Sequence, residues 1–288
     1  MDKFETMLLP AYLITPMLVL ETEHYTEGIV FDSMGNLYFS QTKAGNITVL
    51  APDGEERIWA SVAGANGHKI DAQGTHIVAA EKSLVKLDAN GEVIEVIREV
   101  DGKALLYPND ITIDPEGGFY FTDSGDRNSE KSTGCVYYVD AVGHISQVAT
   151  EIAFANGLVL THDRKQLFVA ESWRNRILVY NVLSPGNLGV KRIFAELPTK
   201  QGKQIDNQPD GICLDKMGNL YVAHYGMGQI IVLNQNGQLI RRYNSGNLTT
   251  SNCAFSNSNF NYLFVTGGIG TEDGPGGIFR LHISTNEL

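Results

Sequence analysis

Apolar and polar positions along the chain repeat in a unit of about 40 to 50 residues, a period typical of propeller blades and repeat arrays. Each unit starts with an acidic or amide residue and continues as an apolar run rich in Val, Ile, Tyr and Phe. Most units then reverse at an Asp-x-x-Gly segment before a second apolar run. The units start at residues 27, 66, 109, 156, 210 and 252, which are 39, 43, 47, 54 and 42 residues apart.

Each unit predicts four antiparallel strands. Runs of β-branched and aromatic residues favour strands, and an Asp side chain followed by a glycine lets the chain reverse. A third run such as Asn46–Leu50 and a further Asp-Gly turn precede the fourth strand. Since no long stretch has helical periodicity, we predict an all-β, six-bladed β-propeller. Residues 1–288 are expected to form one domain, in which residues 12–22 add an outer strand to the last blade and close the ring.

Composition and charge narrow the class of partner. The formal net charge is −11, and no basic cluster is present, so we expect no nucleic-acid partner. The apolar run at residues 7–20 is interrupted by Pro10 and Pro16 and is too short to span a bilayer, so we expect no membrane partner and a soluble, cytoplasmic protein. Cys135, Cys213 and Cys253 lack CxxC spacing and are predicted to be buried free thiols.

The first residues of the six units predict a ring of oxygen donors. The innermost strand of each blade starts at the same mouth of a propeller's channel, so equivalent positions surround the axis. In this chain those positions are Glu27, Asn66, Asn109, Asn156, Asp210 and Asn252. Capping of a turn by an Asn or Asp before Gly is the alternative, but it does not account for Glu27. Carboxylate and amide oxygens without His or Cys favour calcium or magnesium over zinc.

Four motifs carry a resemblance that covers nearly the whole chain from Glu27 onward. They are Glu-Gly-Ile-Val-Phe at residues 27–31, Pro-Asn-Asp-Ile at 108–111 with Phe-Thr-Asp at 121–123, Ala-Asn-Gly-Leu at 155–158 and Pro-Asp-Gly-Ile at 209–212. With them the chain resembles the senescence-marker-protein, gluconolactonase and luciferin-regenerating-enzyme family, and the bacterial lactonase branch in particular. The resemblance implies that Glu27, Asn156 and Asp210 bind one divalent cation, most often Ca²⁺, with Mg²⁺, Mn²⁺ or Zn²⁺ able to replace it in vitro. It also places Asn109 near the metal and the substrate.

Two departures from the family pattern concern the substrate. Tyr107 stands where the family often has an arginine that holds a sugar acid, so a sugar lactone is not implied. The segment at residues 123–129 also differs, and its oxygen donors Asp123, Asp126 and Asn128 raise the alternative of a second, structural calcium. A loop tied by bonds from side chains to the backbone is the interpretation we favour.

The predicted function is hydrolysis of a small-molecule lactone. The metal is expected to polarise the lactone carbonyl, and the resemblance makes Asp210 the catalytic base, with a metal-bound water as the open alternative. Asn66, Asn109, Tyr107 and His68 are expected to contact the substrate, His68 because it lies two residues beyond Asn66.

Other interpretations of the function and of three further residues are left open by the sequence. Phosphotriester hydrolysis on the same scaffold and a non-catalytic ligand-binding propeller are the alternative functions. His224 is expected to serve packing. Trp173 and Tyr225 either line the mouth of the channel or pack.

Overall fold

The computed structural model of the protein describes residues 8–199, 207–256 and 261–283. Six antiparallel sheets make up the fold. From the channel outward, blade one contains β2 (Glu27–Phe31), β3 (Leu37–Gln41), β4 (Asn46–Leu50) and β5 (Glu56–Ser61). Blade two contains β6 (His68–Ile70), β7 (His76–Ala80), β8 (Ser83–Leu87) and β9 (Val93–Ile97). Blade three contains β12 (Pro108–Ile113), β13 (Phe119–Asp123), β14 (Gly134–Val139) and β15 (Ile145–Ile152).

The second half of the chain repeats the arrangement. Blade four contains β16 (Ala155–Leu160), β17 (Gln166–Glu171), β18 (Arg176–Ser184) and β20 (Arg192–Glu196), with the short β19 (Asn187–Leu188) folded back on β18. Blade five contains β21 (Gln208–Leu214), β22 (Leu220–Tyr225), β23 (Gln229–Leu233) and β24 (Leu239–Asn244). Blade six contains β25 (Thr249–Phe255), β26 (Tyr262–Gly268), β27 (Gly276–His282) and β1 (Met17–Thr22).

Three short elements complete the described part of the chain. A hairpin of two short strands, β10 (Glu99–Val100) and β11 (Lys103–Ala104), joins blades two and three. Two 3-10 turns occur, at Ala11–Leu13 and Ser172–Arg174, and the described residues contain no α-helix. Accordingly, no helix within them is long and apolar enough to cross a membrane.

The predicted all-β, six-bladed propeller is confirmed, including its closure. The innermost strands contact one another in cyclic order, from blade one to blade six and back to blade one. The N-terminal strand β1 pairs antiparallel with β27 and so becomes the outermost strand of the last blade, with Met17 opposite Arg280 and Thr22 opposite Gly276. Because β1 and β27 lie in one sheet although they are far apart along the chain, the ring is closed by main-chain hydrogen bonds.

The hydrophobic core is divided among the six contacts between neighbouring blades. Each buried apolar cluster draws its side chains from two adjacent sheets, as Trp59 and Tyr38 of blade one do when they pack with Val78 and Leu87 of blade two. Sheets buried on both faces explain why the central strands are nearly continuous apolar runs. All three cysteines are free thiols, but only Cys135 and Cys253 are buried, whereas Cys213 is half-buried.

The Asp-x-x-Gly segments form the predicted turns. In blade one, the carboxylate of Asp32 accepts hydrogen bonds from the backbone N–H groups of Met34 and Asn36, each at 2.9 Å. Gly35 donates its N–H to the Asp32 carbonyl oxygen at 3.2 Å and has a φ of 87°, which favours glycine. This side-chain bond to the following backbone fixes the reversal between the first two strands of the blade.

Candidate active site

A cavity of about 480 Å³ opens at the mouth where the innermost strands begin. Its walls come from all three kinds of segment that reach this mouth: strand starts, the loops after second strands, and the connections between blades. The lining residues are Tyr25, Glu27, Thr42, Lys43, Asn66, Tyr107, Asn109, Arg127, Phe154, Asn156, Trp173, Gln208, Asp210, Tyr225 and Glu272.

Five of the six ring residues predicted from the repeat line this cavity. The exception is Asn252, which is 2% exposed and does not reach it. Its Oδ1 accepts a hydrogen bond from the backbone N–H of Cys253 at 2.8 Å. The same position in the repeat therefore lines the cavity in five blades and is buried in the protein interior in the sixth.

A glycine after the ring residue allows the blades to approach closely around the axis. A Cβ on Gly28 would lie 1.8 Å from the carbonyl oxygen of Asn66, and one on Gly157 would lie 2.3 Å from that of Asp210. The repeated Asn-Gly and Asp-Gly pairs thus meet a packing requirement as well as supplying polar side chains. This close approach brings the ring residues of neighbouring blades together at the mouth.

Glu27 and Asp210 form the acidic centre of the site. They are 6% and 9% exposed, respectively. Burial, together with the negative charge of Asp110, raises the pKa of Glu27 to about 8. Burial also raises the pKa of Asp210 well above its usual range, and the charges of Glu27 and Asp110 add to the rise. Buried carboxyl groups that repel one another in this way are a common feature of functional sites.

The Asn156 side chain is held through its amide nitrogen, and its amide oxygen has no partner among the described residues. Its Nδ2 donates to the hydroxyl of Ser172 at 3.1 Å, and that hydroxyl in turn donates to the carbonyl oxygen of Pro209 at 2.7 Å. The Asn156 Oδ1 is buried and has no hydrogen-bond partner within the described residues. Because Asn156 lines the cavity and has no partner for this atom in the described part of the protein, it can offer its oxygen to a ligand.

These donors fit a hard divalent cation. Two carboxylates would balance the charge of the cation, and the unpartnered amide oxygen of Asn156 would add a neutral ligand. A cation would also relieve the repulsion that raises the pKa values of Glu27 and Asp210. Within the described ranges no group of three or more His, Cys, Asp and Glu side chains could hold a metal, so the donor set depends on amide oxygens.

The other predicted substrate contacts divide between the cavity and the core. Asn66, Asn109 and Tyr107 line the cavity. His68 does not: it is fully buried, with its Nε2 2.9 Å from His76 Nδ1 and its ring stacked on Trp59. The structure therefore places His68 in the contact between blades one and two, and gives no support to the prediction that it faces the channel.

The placement of His68 has a structural reason. Asn66 lies just before β6, which begins only at His68, so the two residues do not alternate along one strand. In the other five blades the ladder shifts register around the ring position, as it does between Pro108 and Ile111. The residue two positions beyond a ring residue therefore points into the core and not into the channel. Ile29, two residues beyond Glu27, is buried in the same way as His68.

His224, Trp173 and Tyr225 follow the interpretations offered for them. His224 is fully buried, and its Nε2 lies 2.8 Å from Asn175 Oδ1. Burial lowers its pKa to about 4. Trp173 and Tyr225 both line the cavity, where the Tyr225 hydroxyl donates to Glu272 at 3.2 Å.

Several lining residues were missed by the sequence analysis, although the repeat contains a signal for three of them. The residue two positions before the ring residue reaches the cavity in four blades: Tyr107, which was predicted, and Tyr25, Phe154 and Gln208, which were not. The remaining ones, Thr42, Lys43, Arg127 and Glu272, lie on loops that follow second strands. These loops differ in length and sequence, so alignment of the repeats does not reveal them.

The loop after β13 is organised by bonds from side chains to the backbone. Asp123 is 2% exposed, and its two carboxylate oxygens accept the N–H groups of Leu106 at 2.7 Å and of Tyr107 and Gly125 at 2.9 Å. Asp126 accepts the N–H of Asn128 at 2.9 Å. Because the Asp123 oxygens are already used, the geometry favours the tied loop over a second calcium site.

Comparison with known proteins identifies the family of the chain. Residues 25–268 match the family described as SMP-30/Gluconolactonase/LRE-like region. The lactonase drp35 of Staphylococcus aureus strain MW2 is 30% identical over 221 residues, which cover 73% of this chain and 67% of that protein. The lactonase drp35 of Staphylococcus saprophyticus is 29% identical over 244 residues, 81% of this chain and 74% of its own.

Solved structures agree with the fold. A gluconolactonase of Xanthomonas campestris superimposes with a TM-score of 0.80 at 23% identity, covering 98% of this chain and 96% of its own. Regucalcin of Agrobacterium tumefaciens, described as a calcium-binding protein, superimposes with a TM-score of 0.77 at 18% identity and covers 94% of both chains. At these identities the likeness concerns the fold alone.

Proposed function

Because the chain belongs to the SMP-30/gluconolactonase/LRE-like family, we propose that it is a lactone hydrolase that uses one divalent cation, calcium foremost, in the mouth cavity. One observation carries the proposal. Two buried carboxyl groups with raised pKa values, Glu27 and Asp210, line the same cavity as the buried, unpartnered Oδ1 of Asn156. The similarity to the drp35 lactonases supplies the class of substrate.

Glu27, Asn156 and Asp210 would hold the cation. When bound, it would supply Lewis-acid stabilisation of the negative charge that develops on the lactone carbonyl oxygen. Ser172 accepts a hydrogen bond from the Asn156 amide nitrogen, so that the amide is held in place before any ligand arrives. Outer-sphere hydrogen bonds of this kind orient the ligands of metal sites in many proteins.

Asp210 is the proposed general base. Its carboxylate takes a proton from the attacking water as the water oxygen forms a bond to the carbonyl carbon. The ring C–O bond then breaks, and the protonated Asp210 returns its proton to the leaving alkoxide to give the hydroxy acid. Burial raises the pKa of Asp210 and so strengthens it as a base, whereas a neighbouring cation weakens it.

The remaining lining residues position the substrate. Asn109 is 5% exposed, and its amide can donate to the carbonyl oxygen of a bound lactone. Phe154 stands between Tyr107 and Trp173, with ring centroids at 6.4 and 5.3 Å, respectively. This aromatic wall covers one side of the cavity and excludes water from the apolar part of the substrate.

The test begins with elemental analysis of the purified protein and continues with a panel of lactones followed by acid release at constant pH. We expect hydrolysis that EDTA abolishes and calcium restores. Asp210→Asn should lower the rate by about 1,000-fold or more, since it removes both the base and a charged ligand. The matched control is Asp101→Asn, an exposed carboxylate outside the cavity at a positive φ that Asn accepts.

Two results would refute the proposal. Wild-type rates in Asp210→Asn would remove Asp210 from the mechanism. Metal-loaded protein that releases acid from no lactone, but cleaves a phosphotriester or only binds ligands, would replace the proposed function with one of the alternatives.

A further inference from the structure

Arg127 reaches over the cavity from the loop after β13. Its guanidinium carbon lies 3.6 Å from the centroid of the Tyr107 ring and 5.2 Å from that of Phe154. All three side chains line the cavity. A guanidinium held over an aromatic ring by a cation–π contact carries five N–H donors, so several of them stay available for an anion.

The backbone under this stacked pair is fixed by one buried carboxylate. Asp123 Oδ1 accepts the N–H of Tyr107 and that of Gly125, both at 2.9 Å. It therefore joins the segment that carries Tyr107 to the loop that carries Arg127. The loop is closed further by the hydrogen bond from the Asp126 N–H to the Thr133 hydroxyl at 2.7 Å. Arg127 is thus presented by a constrained turn, although its own side chain is exposed.

Arg127 differs from Lys43, the other cation at the rim, in having no ionic partner among the described residues. Lys43 forms an ion pair with Asp273, and Glu272 accepts the hydroxyl of Tyr225 at 3.2 Å. Within the described part of the chain, no carboxylate lies within ion-pairing distance of Arg127, whereas the other rim cation is neutralised. A positive group held in place without a counter-ion beside the cavity is suited to a negatively charged part of a ligand.

We propose that Arg127 determines substrate specificity by binding a carboxylate substituent of the lactone. This inference rests on the proposed function and extends it to a substrate class, lactones that carry a carboxylate close to the ring. The lactone carbonyl would be held at the centre formed by Glu27 and Asp210, and the carboxylate would accept hydrogen bonds from the Arg127 guanidinium at the rim. Tyr107 supports the guanidinium from below, as a positioning residue.

The experiment compares two lactones of nearly equal size, γ-butyrolactone γ-carboxylate and its primary amide. The measured quantity is the ratio of kcat/KM for the carboxylate to kcat/KM for the amide. We expect the wild-type protein to prefer the carboxylate. Arg127→Gln should lower the ratio by about 10- to 100-fold, mostly through KM, because a charge-assisted hydrogen bond is lost. Arg127→Lys should lower it less, since it keeps the charge but not the planar fork.

Lys131→Gln is the matched control. It removes one positive charge from an exposed position of the same loop, outside the cavity lining, and should change the ratio by less than about twofold, as expected for a distant, screened charge. A wild-type ratio near one, an unchanged ratio in Arg127→Gln, or an equal fall in Lys131→Gln would overturn the inference while lactone hydrolysis itself stands. Absence of hydrolysis with both lactones would instead overturn the proposed function, and the inference with it.

Discussion

Asn156 and Asn252 occupy the same place in the repeat and have opposite surroundings. Asn156 lines the cavity, with its Nδ2 bonded to Ser172 and its Oδ1 unpartnered. Asn252 lies outside the cavity, where its Oδ1 accepts the N–H of Cys253. Its side chain also serves Asp110: burial raises the pKa of that carboxyl, while Lys69 and a hydrogen bond from Asn252 oppose the rise.

The difference lies in the tertiary contacts that each amide makes and not in its place in the repeat. Asn156 is followed by Gly157, which leaves room for the next blade and offers no competing side chain. Asn252 is followed by Cys253, and its amide packs against Gly211, where an added Cβ would lie 2.3 Å from the amide carbon. One asparagine therefore has an oxygen free for a ligand, and the other is satisfied by the protein. Substitution of Asn156 should therefore lower mainly activity, and substitution of Asn252 should lower mainly stability.

Alanine at each position gives the largest expected effect. Asn156→Ala should lower kcat/KM for a lactone by about 100- to 1,000-fold, because it removes the neutral ligand proposed for the cation. Asn252→Ala should leave kcat/KM within a few-fold but lower the free energy of unfolding by about 1–3 kcal/mol, because the buried Cys253 N–H loses its acceptor. Lactone kinetics and urea unfolding measure the two effects. A similar loss of activity in both variants would remove the distinction between the two positions.

The pH dependence of stability should further distinguish the cavity residues from the buried Asn252 position. The pKa of Glu27 is raised to about 8 in the folded protein, and that of Asp210 is also raised. For a raised carboxyl pKa, the protonated folded form is favoured, so the contribution to stability is present below about pH 4.5 and is lost as the pH rises through about 8. Calcium should offset that loss, with a gain of about 2.7 kcal/mol at 100 times its Kd.

Thermal unfolding with calcium or EDTA, from pH 5 to pH 9, checks this expectation. The calcium-induced rise in Tm should grow with pH in the wild-type protein and in Asn252→Ala, and it should be largely absent in Glu27→Gln. Without calcium, Glu27→Gln should lose less stability than the wild-type protein over this range. A calcium shift independent of pH, or equal in Glu27→Gln, would argue against metal binding by these carboxylates.

Ser172 provides the smallest and most selective test. Ser172→Ala removes the hydroxyl that orients Asn156 and should weaken metal affinity by about 10- to 100-fold, measured by calorimetry. Ser124 is a matched control, since its hydroxyl donates to the Ala155 carbonyl at 2.8 Å just as that of Ser172 donates to Pro209. Ser124→Ala should cost a similar amount of stability, about 1 kcal/mol, and leave metal affinity unchanged. Equal affinities in the two variants would show that Ser172 does not orient the amide.

Much of the fold could be predicted because its determinants are local and repeated. Apolar runs separated by Asp-x-x-Gly turns specify hairpins, and the turn at Asp32 forms as expected. The closing strand followed from counting, since the stretch before Glu27 had no other place in a four-stranded blade. Its observed extent, Met17–Thr22, is shorter than the predicted residues 12–22 because Ala11–Leu13 form a 3-10 turn.

The site could be predicted only in part, for reasons of register. Five of the six ring residues line the cavity, whereas period-two counting beyond the ring leads to His68, which is buried between blades one and two. The residues two positions before the ring residues, such as Phe154, lie at the same mouth of the channel and could have been found from the repeat. Arg127 could not, because its place over Tyr107 depends on a loop whose path is set by the buried Asp123 carboxylate.

The sequence by itself determined the six-bladed architecture, the strand pattern within each blade and the set of acidic and amide residues around the axis. These features arise from short-range preferences repeated six times, so each copy supports the others. Only the tertiary structure decided which amide keeps a free oxygen, which carboxyls repel one another in a buried cavity, and which cation stands at its rim. Those properties depend on close contacts between blades, between residues far apart along the chain, and no local pattern encodes them.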